Sequence, residues 1–313
     1  MKKLLITIVV LLSITLACTY IFIPNKITIS GKEHIAANQR ALLRTLGESE
    51  NWKKWWPGEK LNDTSGDGSQ LNGLTYKITD IRISSLPVSI FDGKDTSLVE
   101  FTFIPINPDS TDVSVIGIIP TSYNPFKRIQ AFFRAQKIKK DIKNILGSIN
   151  SYYSKSENLY GFSIQRTSVV DSTLISTYKE INGEPTNEIV YSLVDELKDY
   201  IKKQGAVEKG YPMMNLYTKD GITYLVRVAI PVDKQLPASG NISYKWMLGG
   251  GNILITDVKG DHTEIKKAYD QTELYVADHN RVAPAIPFQS MITDRRKEKD
   301  STKWITKIYY PVI

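Results

Sequence analysis

The chain opens on an unbroken apolar run, Leu4 to Ile23, preceded by Met-Lys-Lys and closed by Pro24-Asn25-Lys26. A helix of about 20 uncharged residues matches the roughly 30 Å hydrocarbon core of a bilayer. The pattern then changes period. Ile27, Ile29 and Ile35 stand among polar residues and predict a strand over 26–35, while Leu42, Leu43 and Leu46 share one helical face in 36–47, ending on Gly47. Strands are predicted over 74–83, 87–91, 97–106 and 112–118, with Asp-Gly-Lys-Asp and Asn-Pro-Asp-Ser as turns between them. A long helix over 125–153 starts at Asn124-Pro125. Its apolar positions Ile129, Phe132, Phe133, Ile142, Ile145, Leu146 and Ile149 recur at spacings of three and four.

After the polar stretch SKSENLYG a second α+β unit begins. Two strands are predicted within 162–181, then a helix over 186–205 carrying Ile189, Leu193, Leu197 and Ile201, then strands over 213–218 and 224–232. The order recurs with a strand over 252–258, a helix over 263–280 and strands over 288–292 and 304–312. RVAIPV at 227–232 is echoed by KIYYPV at 307–312, and GYPMMNLY at 210–217 more weakly by PAIPFQSM at 284–291. Strand-helix-strand-strand repeating around these echoes points to a duplication.

With 313 residues, 42% hydrophobic and 23% charged, the chain has the length and composition of a globular protein of about two domains. Lys2 and Lys3 before the apolar run keep the N-terminus cytoplasmic by the positive-inside rule and place all that follows Asn25 outside, on the periplasmic side. An uncleaved anchor is the leading reading because the apolar run continues past Ala17-Cys18. A cleaved signal and a lipoprotein site at Cys18 are the alternatives. Cys18 is the sole cysteine, so the exported part has no thiol for a disulfide, a zinc site or a nucleophile. Net charge is +7, and +5 without Lys2 and Lys3. This suits a neighbour of an anionic membrane and is too weak a bias to argue for nucleic acid, which is not expected as a partner.

Catalytic motifs are sparse. His34, His262 and His279 are scattered, no G-x-S-x-G occurs, and Gly249-Gly250-Gly251 precedes a strand rather than a helix, so neither metal nor other cofactor is expected. Glu264 and Glu273 read as solvated helix residues. NWKKWWPG, residues 51–58, places Trp52, Trp55 and Trp56 on a short helical turn, where they either anchor a core or line a pocket. The seven Lys and Arg of the long helix form either a solvated outer face or a surface for anionic headgroups.

The stretch KITISGKEHIAANQRALLRTLGESENWKKWWPG resembles the opening of SRPBCC (polyketide cyclase/START-like) domains. That resemblance implies a helix-grip fold over 26–156, with an apolar cavity between a curved antiparallel sheet and the long helix. Residues 162–313 resemble a GyrI-like effector-binding domain through Gly260 in VKGDHTEIKKAYD, the helix after it and the terminal TKIYYPV. The implied organisation is an anchor or signal at 1–25, the helix-grip domain at 26–156, a linker at 157–161 and the GyrI-like domain at 162–313.

GyrI-like pockets commonly carry a glutamate in the last strand and a tyrosine in the strand before it. The corresponding positions here are Lys307 and Met291, and the first-half equivalent of Lys307 is Arg227. A buried, unpaired cation is too costly to maintain, so these groups require an anionic ligand, a carboxylate partner or water. The expected lining is Trp52, Trp55, Trp56, Phe101 and Phe103 in the first domain, and Tyr217, Arg227, Trp246, Met291, Lys307 and Tyr309 in the second. The expected protein binds a small apolar or amphipathic molecule, with an anionic one as the sharper reading, and does so without turnover at a membrane. Its rivals are a hydrolase using the GyrI-like pocket and an envelope-structural or partner-binding protein.

Overall fold

The computed structural model describes residues 2–58, 68–170, 172–218, 220–247 and 249–313. The chain is α+β and divides into two compact units, Met1–Lys155 and Ser156–Ile313. In the first, the apolar run forms helix α1 (Lys2–Phe22), nearly all of whose described side chains are exposed. Its serine and threonine hydroxyls are satisfied internally: Thr7, Ser13, Thr15 and Thr19 each donate to the carbonyl four residues back. A helix in hydrocarbon needs such internal partners. By length and composition α1 suffices to cross a membrane, and a signal sequence passes the same test.

Strand β1 (Lys26–Ile35) follows, then α2 (Gln39–Gly47) and the one-turn α3 (Trp52–Trp55). Next come β2 (Ser69–Leu71), β3 (Leu74–Ile78), β4 (Ser85–Phe91), β5 (Thr96–Asn107) and β6 (Ser110–Pro120). These form an antiparallel sheet in the order β1-β6-β5-β4-β3-β2. The strand expected over 74–83 stops at Ile78, and Ile81 and Ile83 stand in solvent before β4 begins.

Helix α4 (Pro125–Tyr153), capped by the Asn124 side chain, covers the inner face with Ile138, Ile142, Ile145, Leu146 and Ile149. Gly31 permits its close approach, since a Cβ there would lie 2.8 Å from the Ile142 side chain. Arg128 near the start of α4 donates to the carbonyl of Ile23 at 2.8 Å and lies over the Tyr20 ring, tying the end of α1 to this unit.

The second unit begins with the short segment 156–161. Helix α5 (Ser156–Tyr160) packs there because Tyr160 is buried and donates to Asp278 at 2.9 Å. The strands are β7 (Ile164–Ser168), β8 (Ser172–Asn182), β9 (Met213–Thr218), β10 (Thr223–Val232), β11 (Ser243–Met247), β12 (Asn252–Lys259), β13 (Phe288–Met291) and β14 (Ile305–Val312). Helices α6 (Asn187–Lys203) and α7 (His262–Asp278) complete the two halves.

The sheet order, β11-β8-β10-β9-β13-β14-β12-β7, is a palindrome of equivalents about the β9–β13 contact. Each half lends its leading strand to the other: β7 pairs with β12, and β11 pairs with β8. Matching backbone bonds repeat as well. Gly183 after β8 donates to Ile222 before β10 at 2.8 Å, and Gly260 after β12 donates to Trp304 before β14 at 2.9 Å.

Strand alternation gives this sheet two unlike faces. Val226, Val228 and Ile230 of β10 lie buried with the apolar stripe of α6, and Val258 and Ile308 with Ile265 and Ala268 of α7. The intervening residues, among them Arg227 and Lys307, face the opposite way.

Candidate functional site

That second face carries two adjoining hollows. The larger, about 910 Å³, has walls that include Tyr211, Trp246, Ile253, Ile255 and Tyr309. The smaller, about 160 Å³, is lined by Leu174, Ser176, Asn215, Arg227 and Lys245 among others. Met213, Met247 and Phe288 border both. Methionine thioethers adapt their shape, so this partition is a soft one. Phe288 stacks on Tyr309 with ring centroids 5.0 Å apart and planes 8° from parallel. Burial pushes the Tyr309 phenol up despite the opposing Lys307 charge, so its hydroxyl stays neutral and can donate.

Basic groups outnumber acidic ones along these walls. Lys209, Arg227, Lys245 and Lys307 line them against Asp233, whose carboxylate already accepts from the Val207 amide at 2.9 Å. The two strand cations differ in setting. Lys307 pairs across the ladder with Asp257 at 3.3 Å and is 40% exposed. Arg227 is half-buried, with the uncharged Tyr178 and Asn215 as cross-strand neighbours. The cost expected of two unpaired cations therefore applies to Arg227 alone. Asp257, far away in sequence, is brought to Lys307 only by the β12–β14 register.

Four of the expected lining residues meet at this face: Arg227 in the smaller hollow, and Trp246, Lys307 and Tyr309 in the larger. Two do not. Met291 is 2% exposed and sits in the core beneath α6, while Phe288 and Ser290 are the β13 residues that face the hollow. A one-residue difference in position on a strand reverses the face. Tyr217 lies further along β9, opposite Leu225, is 41% exposed and borders neither hollow.

Among the described residues, the space expected to be hollow around the tryptophans of the first unit is filled. Trp52, Trp55, Phe101 and Phe103, with Leu46, Ile145 and Ile149, enclose only about 10 Å³. Trp52 donates to the Leu46 carbonyl at 2.8 Å. Trp56 stacks on Trp52 at 5.0 Å and donates to Gln70 at 2.8 Å, outside that lining. The three indoles plug the end of the core between sheet and long helix, because α4 already lies close enough to need little more than these rings to fill the gap.

Sequence reasoning passed over Met213, Met247, Phe288 and Lys245. The Tyr-Pro-Met-Met run within the 210–217 echo was an available signal for Met213. Lys245 and Met247 lie on an edge strand with no apolar period. Among the described residues, no group of three or more His, Cys, Asp or Glu is placed to hold a metal ion.

No family model and no curated protein matches the chain. Solved structures share low-identity likeness with it. The EcmrR C-terminal domain is 17% identical over 49% of this chain and 98% of that one, with a TM-score of 0.42. A hydrolase from Listeria innocua is 12% identical over 48% and 91%, with a TM-score of 0.38. The Zhui aromatase/cyclase from Streptomyces sp. R1128 is 7% identical over 40% and 92%, with a TM-score of 0.29.

Proposed function

We propose that the second unit, which resembles GyrI-like effector-binding domains, receives a small amphipathic molecule on the helix-free face of its sheet and releases it unchanged. The first unit, resembling the helix-grip family, serves as a solid mount. Helix α1 is its membrane anchor, with Lys2 and Lys3 on the cytoplasmic side and both units outside. Tyr20 at the end of α1 is a residue type suited to a headgroup boundary.

One observation carries this reading: the hollow of about 910 Å³, whose mainly aromatic and aliphatic walls also present hydroxyl and charged groups. Small-molecule sites typically measure about 300–1,000 Å³ and are built this way. The test is native mass spectrometry of the full chain released gently from its host membrane. An adduct of a few hundred daltons that detaches intact on activation supports binding without turnover. An adduct that converts to a smaller product on standing would favour a hydrolase instead. A bare chain that also gains no thermal stability from a panel of amphiphiles would contradict the proposal.

A further inference from the structure

The cations of the cleft are not interchangeable, and their difference assigns the ligand an orientation. Lys307 has its counter-charge in Asp257 at 3.3 Å. Arg227 has none among the described residues. Glu180, on the same face of β8 two residues beyond Tyr178, sits opposite Leu225 and makes no ion pair with it. Arg227 is thus half-buried, with Asn215 as its cross-strand neighbour, in a hollow that Met213, Phe288 and Lys245 also line and that no carboxylate lines. A guanidinium presents a planar fork of donors that matches the two oxygens of a carboxylate or phosphate. In partly apolar surroundings such a pairing is worth more than in water.

We infer that the ligand is an amphiphile with a carboxylate or phosphate head, held by Arg227 in the smaller hollow, with its apolar body passing the Met213–Met247 partition into the larger one. This rests on reading the cleft as a ligand site. The volumes agree with it: about 160 Å³ holds a head and its first methylenes, and about 910 Å³ takes the remainder. The excess of basic over acidic lining groups raises the local concentration of anions and repels lipophilic cations.

The test is isothermal titration of the full chain in nanodiscs of zwitterionic lipid, with empty discs as the blank. Four probes of equal chain length serve: decanoate, decyl phosphate, methyl decanoate and decylammonium. The anions are expected to bind about tenfold or more tightly than the ester, since a hydrogen bond to a charged group contributes on that scale, and decylammonium more weakly than the ester. Arg227→Gln removes the anion preference, Arg227→Lys restores part of it, and Lys307→Gln lowers it less than Arg227→Gln does. Whichever anion binds more tightly assigns the head.

Equal binding of anion and ester overturns the inference, as does a preference that survives Arg227→Gln or falls equally in Lys307→Gln. In those cases ester binding leaves the cleft itself standing as a site. Binding of none of the four probes removes the cleft reading together with the inference.

Discussion

Truncating Trp55 measures whether the tryptophan turn is core or pocket. Trp55 is 5% exposed, with ring centroids 5.4 Å from Trp52, 5.6 Å from Trp56 and 6.3 Å from Tyr153. A buried indole removes roughly 150–250 Å² from water, which at about 25 cal/mol/Å² is an upper estimate near 4–6 kcal/mol. The surrounding space measures only about 10 Å³, so the neighbours are close-packed and Trp55→Ala is expected to cost the first unit about 3–5 kcal/mol. Ligand affinity in the second unit should stay unchanged.

Phenylalanine substitutions sharpen the comparison. The Trp55 Nε1–H is buried without an acceptor, whereas the equally buried Trp52, at 6% exposed, donates its own to Leu46 at 2.8 Å. An unpaired buried donor costs about 1–3 kcal/mol, so removing it in Trp55→Phe offsets most of the lost ring area. Trp52→Phe gains no such relief and strands a carbonyl. The expected order is Trp55→Phe within about 1 kcal/mol of the parent, and Trp52→Phe costing about 1–3 kcal/mol more. Urea titration followed by far-ultraviolet circular dichroism on the detergent-solubilised chain reads these differences in the first unit's transition. A loss below about 1 kcal/mol in Trp55→Ala would refute a core role. Equal costs for the two phenylalanine variants would refute the orphaned donor.

Two further perturbations probe the second unit. Gly260 has φ +145°, and a Cβ there would lie 2.9 Å from the Glu264 Cβ. Gly260→Ala should therefore lower the melting temperature by several degrees, while Gly147→Ala, with nothing within 4 Å, should not, as read by calorimetry. His262 at the start of α7 has its pKa lowered from 6.5, by burial first and by the Arg295 charge second. Because the unfolded chain binds this proton more readily, stability is fully present above about pH 6.5 and declines as pH falls through the lowered value. His262→Gln should flatten that limb of a melting-temperature profile between pH 7 and 5, and an unaltered profile would contradict the lowered pKa of this solvent-exposed residue.

How legible each element was depends on how strongly one face is buried. β1 and α4 fall on 26–35 and 125–153 as their apolar periods predict, because each buries one continuous stripe: Ile27, Ile29 and Ile35 in the strand, Ile142 through Ile149 in the helix. The duplication was legible because RVAIPV and KIYYPV occupy equivalent strands, β10 and β14. β11 was not, since an edge strand reading Ser-Tyr-Lys-Trp-Met has no apolar face and gains its conformation by pairing with β8. Met291 stood at the tyrosine position that the GyrI-like resemblance implies, and Phe-Gln-Ser-Met-Ile offers no clean alternation to show that it faces the core. The tryptophans were recognised as important, but a large ring serves equally as wall or plug. What decides is the separation of α4 from the sheet, which sequence period does not encode. A carboxylate partner for Lys307 was one of three options left open, and Asp257 could not be named because it lies on another strand.

Among the described residues the hollow lies in the second unit and the tryptophan turn of the first is filled, and the most direct measurement of this is photoaffinity labelling of the full chain in its native membrane. The probe is a diazirine-bearing decanoate, with crosslinks mapped by peptide mass spectrometry. Labelling is expected to be confined to peptides containing Met213, Trp246, Met247 and Phe288, and to be displaced by excess decanoate. Labelling that falls on the Trp52–Trp56 turn, or that spreads over the chain and resists displacement, would contradict it.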